Sequence, residues 1–167
     1  CYLHARVPRV HTPDGRVVMA MPSWSGKLAG FTLLFEALML EFCKHMPVHQ
    51  VGKMIGISDG RLWRMLELYV DAARFDEDYS GVTAVGMDET SIAKGHAYIT
   101  LFVDMIARRT IHVAEGKGSV TVKGFVQDLE QHGGNAAQIT EASCDMSPAF
   151  IKGTQENLPN AAITFDK

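Results

Sequence analysis

The feature that most constrains the fold is the order of strand-like and helix-like segments in residues 82–165. Three runs rich in β-branched and aromatic residues come first, and two helical stripes then alternate with two more strand-like runs. The predicted strands are 82–87, 97–105, 110–114, 139–144 and 161–165, and the predicted helices begin near Val120 and Pro148. This order predicts an α/β domain built on a mixed sheet with flanking helices.

The first half of the chain predicts a hairpin followed by helices. Residues 2–20 alternate weakly around Pro13-Asp14-Gly15, a sequence that is typical of a turn. Apolar residues then recur at helical spacing over residues 28–45. A short helix, the turn Gly56-Ile57-Ser58 and a longer apolar stripe from Leu62 to Val70 follow. This is the helix-turn-helix pattern, although an ordinary helical hairpin shares it.

The helix-turn-helix reading places basic residues where DNA would bind. In that motif the N-terminal residues of the second helix enter the major groove. Asp59, Arg61 and Arg64 fall at that end, and Lys53 lies on the preceding helix. Arginine there can contact guanine edges or phosphates. The net charge is +3 over residues 1–74 and −6 over the rest, an asymmetry that favours a nucleic-acid-binding first half but also arises by chance.

Two aspartates, Asp88 and Asp145, follow apolar strands in equivalent positions. If those strands are parallel neighbours, both carboxylates lie at one end of the sheet and can hold Mg²⁺ or Mn²⁺. Two such ions about 3.5–4 Å apart can activate a nucleophile and stabilise the leaving oxygen of a phosphodiester. Neighbouring strand residues point to opposite faces, which favours Asp88 over Glu89 as the ligand. Either aspartate alone is more typical of a turn or helix cap than of a metal ligand, and two in matching positions narrow that preference without reversing it.

Composition and missing motifs exclude other classes of protein. Apolar residues make up 47% of the chain and charged residues 21%, as in a folded globular protein. No apolar run reaches about 18 residues, the length that a transmembrane helix requires. Three widely spaced cysteines form no C-x-x-C pair and indicate a reducing compartment. The sequence contains no H-E-x-x-H zinc motif, P-loop or Rossmann fingerprint.

Two acidic blocks carry a family resemblance. They are Gly86-Met87-Asp88-Glu89-Thr90-Ser91 and Cys144-Asp145-Met146-Ser147-Pro148-Ala149-Phe150-Ile151-Lys152-Gly153. These blocks, with Gly30 to Glu36 and Arg61-Leu62-Trp63-Arg64 upstream, resemble the ISL-three (ISL3) family of bacterial insertion-sequence transposases of the DDE type. The resemblance implies a ribonuclease H-like fold. It implies a hairpin remnant of a zinc-ribbon-like segment over 1–27, a helix-turn-helix region over 28–75 and a C-terminally incomplete catalytic domain over 81–167.

The resemblance also implies a chemistry. Asp88 and Asp145 match the first two acids of a DDE triad, which would hold two Mg²⁺ or Mn²⁺ ions in the complete protein. The third acid is expected beyond Lys167, so the chain is expected to be a fragment lacking both ends and inactive in transposition. Asp166 is not assigned to the triad, and Asp104 is expected to be structural or an outer neighbour of the site.

The cysteine pairs of a zinc ribbon are absent, so zinc is not expected, although Cys1 and His11 are a candidate remnant of such a site.

Duplex DNA is the implied partner, both the terminal inverted repeats and the target. The complete protein is expected to be a homo-oligomer that acts at the bacterial nucleoid, in the cytoplasm and away from any membrane. Two alternatives stay open: a DNA-binding remnant that acts as a repressor, and another ribonuclease H-like nuclease. Alanine at Arg61 and Arg64 would abolish the repressor's activity, while alanine at Asp88 would leave it intact. Cleavage of branched or hybrid substrates would indicate the nuclease.

Overall fold

The computed structural model describes residues 3–28, 30–93 and 97–165. The chain divides into two compact units, Cys1–Asp76 and Glu77–Lys167. Cys1, Asp166 and Lys167, to which the sequence analysis refers, lie outside the described residues. Within the described segments, every helix is too short or too polar to cross a membrane.

The first unit opens with the predicted hairpin. Strands β1 (Arg9–His11) and β2 (Val17–Met19) pair antiparallel across the predicted turn. The paired region is shorter than residues 2–20, because Pro8 just before β1 has no N–H to extend the ladder. The hairpin prediction is therefore confirmed, with narrower bounds.

Three helices follow, α1 (Leu33–His45), α2 (Val48–Ile55) and α3 (Asp59–Phe75). Helix α1 begins later than predicted because the Thr32 hydroxyl caps it, accepting a hydrogen bond from the Phe35 amide at 3.2 Å. Helix α2 ends at Gly56, whose φ of +71° lies in the left-handed region that favours glycine. Ser58 occupies the predicted cap position of α3, but its side chain makes no capping hydrogen bond.

The core of the first unit comes from all three helices. Met39, Val51, Leu62 and Met65 have no solvent exposure, and Tyr69 is partly buried against them. On α3, the core residues Leu62, Met65 and Tyr69 recur at intervals of three and four residues, so the predicted helical stripe faces this core. The opposite side of α3 is consequently left at the surface.

The second unit is the predicted α/β domain. Its elements are β3 (Ala84–Ala93), β4 (Ala97–Asp104), β5 (Arg109–Glu115), α4 (Ser119–Gln131), a 3₁₀ turn (Ala136–Gln138), β6 (Glu141–Cys144), α5 (Pro148–Asn157) and β7 (Ala162–Phe165). The strand order is β5-β4-β3-β6-β7. β3, β4 and β5 pair antiparallel, while β6 is parallel to both β3 and β7. This mixed sheet with flanking helices is the ribonuclease H-like arrangement expected from the sequence.

One face of the sheet carries the core. Phe125 of α4 stacks on Phe102 of β4 with ring centroids 4.5 Å apart, and Phe150 of α5 joins the same cluster. Side chains alternate between faces along a strand, so the neighbouring residues point to the other face. That other face is more open: Met105 at the end of β4 is 46% exposed, and Val113 on β5 is 52% exposed.

Candidate active site and nucleic-acid interface

The register between β3 and β6 sets the relative position of the two aspartates. Gly86 pairs with Ser143 in this parallel ladder. Asp88 and Asp145 each stand two residues further along. Since β6 ends at Cys144, the parallel register directs Asp88 and the first residue after β6, Asp145, toward the same edge of the sheet.

The alternation of side chains puts both aspartates on one face. Met87 and Cys144, which immediately precede them, are buried in the core. Asp88 and Asp145 themselves are exposed, on the open face of the sheet. Glu89 follows Asp88 and falls on the opposite, core-facing side, where it is half-buried.

One detail of the prediction is wrong. Asp88 does not follow the end of its strand, because β3 continues to Ala93. The antiparallel partner β4 extends the ladder, and Asp88 pairs with Leu101 there. The short parallel strand β6 ends at Cys144, so Asp88 lies beside the point where the ladder with β6 stops. Its backbone is held by the sheet on one side and open on the other.

Asp145 sits at the junction of β6 and α5. Its Oδ1 accepts a hydrogen bond from the Ser147 amide at 3.0 Å. Pro148 occupies the first turn of α5, as predicted, and the Ser147 side chain makes no capping hydrogen bond. The hydrogen bond from the Ser147 amide stabilises the turn between β6 and α5. It uses one of the two carboxylate oxygens of Asp145.

The electrostatics of the pair are those of unneutralised acids. Neither Asp88 nor Asp145 forms an ion pair with any other residue of the described ranges. Two adjacent carboxylates repel one another, and a divalent cation between them would relieve that repulsion. Burial and then the charge of Asp145 raise the pKa of the Cys144 thiol, so this cysteine stays protonated as a buried core residue.

Residues 3–28, 30–93 and 97–165 contain no cluster of three histidine, cysteine or acidic side chains that could hold a metal ion. Among the described residues, Asp88 and Asp145 are therefore the candidate metal ligands at this end of the sheet. His11, the candidate zinc ligand, is exposed on β1.

Asp104 belongs to the fold. It is buried, and its Oδ1 accepts hydrogen bonds from the Ile106 and Ala107 amides, both at 3.0 Å. It pairs with Val85, whose side chain is in the core, and so lies on the face opposite Asp88. These contacts favour the structural alternative for Asp104 over the alternative of an outer neighbour of the site.

The predicted DNA-contacting residues have different surroundings. Lys53 on α2 and Arg64 on α3 are exposed. Arg64 Nε donates a hydrogen bond to the Gly60 carbonyl at 3.1 Å, one turn closer to the start of the helix. Arg61 is half-buried, with its guanidinium 4.2 Å from the centroid of the Phe31 ring. Arg61 therefore packs the segment before α1 against α3.

Asp59, at the start of α3, is engaged within the helical unit. Its Oδ2 lies 2.8 Å from Nδ1 of His49 on α2. This contact ties the two helices together at the turn.

A buried acid, Glu36, organises the helical unit and was not singled out from the sequence. It has no solvent exposure, and it accepts hydrogen bonds from the Lys27 amide (2.8 Å), the Leu28 amide (2.7 Å) and the Tyr69 hydroxyl (2.7 Å). A Cβ on Gly26 would clash with the Glu36 carboxylate, so a larger residue there would force that buried group to shift. The sequence signal that points to Glu36 is an acidic residue within a largely apolar helical segment.

Tyr69 gives this cluster a pH dependence. Burial, followed by its hydrogen bond to Glu36, raises the pKa of Tyr69 to about 12. The phenol of the unfolded chain ionises near pH 10, roughly its unperturbed value, so the unfolded state loses its proton first. We expect the helical unit to keep this stabilisation below about pH 10 and to lose it between about pH 10 and 12.

Circular dichroism of the helices during an alkaline titration measures this effect. Tyr69→Phe should remove the step, whereas the control Tyr98→Phe, on β4, should retain it. The same alkaline transition in Tyr69→Phe and the wild-type protein would contradict the assignment.

Comparison with known proteins places these features in a family. A family model described as the helix-turn-helix domain of transposase family ISL3 matches residues 20–70, and the ISL3 DDE transposase model matches residues 85–167. The chain belongs to the ISL3 transposase family. The resemblance carried by its two acidic blocks is thereby confirmed.

Curated relatives agree with this assignment. The chain is 29% identical over 168 residues to the transposase for insertion sequence element IS1557 of Mycobacterium tuberculosis, covering 96% of this chain and 36% of the relative. It is 32% identical over 144 residues to the transposase for IS1001 of Bordetella parapertussis, covering 86% of this chain and 35% of the relative. This ISL3 chain thus spans about a third of the length of these relatives.

Among solved structures, the chain is similar to one titled as a simian T-cell lymphotropic virus intasome in complex with PP2A regulatory subunit B56 gamma. The match has a TM-score of 0.39 and 12% identity and covers 67% of this chain and 44% of that one.

Proposed function

We propose that this chain binds duplex DNA through α2 and α3 and supplies Asp88 and Asp145 to the catalytic site of an insertion-sequence transposase. The observation that carries the proposal is the parallel register of β3 and β6, which directs exposed Asp88 on β3 and exposed Asp145, the first residue after β6, toward the same edge of the sheet. In the complete protein the substrates are the terminal inverted repeats and the target DNA, and the reaction is strand cleavage and transfer. The complete protein acts as a homo-oligomer.

The residues present fit a divalent metal. Two exposed carboxylates with no cationic partner in the described ranges match the oxygen ligands that Mg²⁺ and Mn²⁺ prefer. Two bound ions would supply activation of the attacking hydroxyl and stabilisation of the leaving oxygen. The chain itself contributes placement, because the ladder between β3 and β4 holds the backbone at Asp88 and the Ser147 amide donates a hydrogen bond to Asp145 Oδ1.

Asp88 and Asp145 supply two of the three acids of a DDE triad, and no third acid of the described residues clusters with them. We expect two acids alone to bind metal without joining DNA strands, while the chain still binds DNA. Incubation with donor and target DNA in Mn²⁺ tests this, and strand-transfer products from this chain alone would contradict it.

The DNA interface should fall on Lys53 and Arg64. Each neutralised phosphate releases counterions, so binding weakens with salt in proportion to the number of phosphate contacts. We expect Lys53→Ala and Arg64→Ala each to weaken duplex binding and to reduce the slope of log K against log salt by about one. Fluorescence anisotropy over a salt series measures both quantities.

Lys44→Ala is the matched control, because Lys44 is exposed on α1 and pairs with Glu41 at 2.8 Å. It removes the same charge from the same unit and should leave the slope unchanged. We expect Arg61→Ala to act differently, lowering the stability of the unit through lost packing on Phe31. Unchanged slopes in both Lys53→Ala and Arg64→Ala would overturn this interface.

A further inference from the structure

An exposed tryptophan stands on the helix that the proposed function directs at DNA. Trp63 on α3 is 59% exposed, although tryptophan is among the largest apolar side chains. Its neighbours on the helix surface, at spacings of three and four residues, are Asp59, Gly60, Leu66 and Glu67, of which Gly60 and Glu67 are exposed. The next residue in the chain, Arg64, is also exposed, whereas the preceding one, Leu62, belongs to the core and has no solvent exposure.

The surroundings of Trp63 select a partner. Apart from the backbone of α3 itself and the two chain neighbours, no heavy atom of the described residues lies within 4 Å of the position that a Cβ on Gly60 would take, so the helix surface before Trp63 is open. Arg64 reaches back toward that opening through its hydrogen bond to the Gly60 carbonyl. Trp63 and the cation that follows it in the chain, Arg64, therefore both lie exposed in the first two turns of α3, the part of a helix-turn-helix that enters the major groove. An anionic groove with apolar groups on its floor complements that surface.

We propose that Trp63 is a specificity-determining residue that contacts a thymine 5-methyl group in the major groove. That methyl group is the apolar feature by which proteins distinguish thymine there, and Arg64 beside it is suited to a neighbouring guanine. This inference rests on the proposed DNA-binding function. It assigns sequence discrimination to Trp63, whose side chain is exposed and not part of the core of the helical unit.

The test begins with DNA selected by the wild-type chain from a random duplex pool. Each thymine in the enriched duplex is then replaced by deoxyuridine, which removes only the 5-methyl group. Burying about one CH₂-sized group is worth about fourfold in affinity, so we expect one or two replacements to weaken wild-type binding by about that factor. Trp63→Ala should bind the thymine duplex about fourfold more weakly than the wild-type chain does. Replacing thymine by deoxyuridine at those positions should not weaken the binding of this variant further.

Phe75→Ala is the control, because Phe75 is 85% exposed at the other end of the same helix. It should discriminate as the wild type does. Trp63→Phe provides a second variant, expected to recover part of the discrimination, and circular dichroism establishes that each variant is folded. Full discrimination by Trp63→Ala, or no deoxyuridine effect on wild-type binding, would overturn the role of Trp63 and leave DNA binding intact. No enrichment from the pool would overturn both.

Discussion

Asparagine at Asp88 or at Asp145 is expected to reduce metal-dependent strand cleavage by the complete transposase by about 10²–10³-fold or more. Each substitution keeps the shape of the side chain and removes the negative charge that would hold the cation. Both positions are exposed, so the fold should tolerate the change. Cleavage of a duplex that carries the transposon end, followed with time on a denaturing gel, measures the loss.

Glu141→Gln supplies the matched control for this experiment. Glu141 is an exposed acid on β6, and it pairs with Ala84 at the opposite end of the parallel ladder. Its loss changes the net charge by the same amount and should leave cleavage unchanged. A DNA-binding remnant would show no cleavage in any variant, whereas full cleavage by Asp88→Asn and Asp145→Asn would disprove the site.

Glu36→Ala is expected to lower the free energy of unfolding of the helical unit by about 3–5 kcal/mol. The substitution leaves the Lys27 and Leu28 amides and the Tyr69 hydroxyl without their acceptor. A unit of this size has a total stability of only about 4–11 kcal/mol, so most of it would be lost. DNA binding should disappear with the helices, while the sheet of the second unit stays folded.

Urea denaturation followed by circular dichroism compares this variant with Glu41→Gln. Glu41 lies on the same helix, but it is exposed and paired with Lys44 and His45 at the surface. Such pairs contribute about 0–1 kcal/mol, so the control should unfold close to the wild-type midpoint. If Glu36→Ala unfolded at the same urea concentration as Glu41→Gln, the buried carboxylate would not be holding the unit together.

Local chemistry explains why much of the fold could be predicted. Pro13-Asp14-Gly15 marks a turn and Pro148 marks the start of a helix, because both act through backbone preferences of a few residues. Runs rich in β-branched and aromatic residues likewise predicted the strands of the mixed sheet. The bounds of β3 were harder to predict, because the polar run after Met87 is held in the sheet by its antiparallel partner.

The helical unit shows what the sequence could not supply. Glu36 finds its partners in a loop eight and nine residues away and in a tyrosine 33 residues away. Arg61 and Arg64 are both basic residues at the start of α3, yet one packs on Phe31 and the other is exposed. That difference depends on where the segment before α1 lies, which is a tertiary contact that periodicity does not encode.

A Mn²⁺ titration of the ¹⁵N-labelled chain, followed by nuclear magnetic resonance, tests whether Asp88 and Asp145 bind a divalent metal. A paramagnetic ion broadens the signals of nearby amides even when it binds weakly. We expect broadening centred on the amides around Asp88 and Asp145, and its loss in Asp88→Asn and in Asp145→Asn. Broadening centred elsewhere, or unchanged by both substitutions, would contradict a metal site at this end of the sheet.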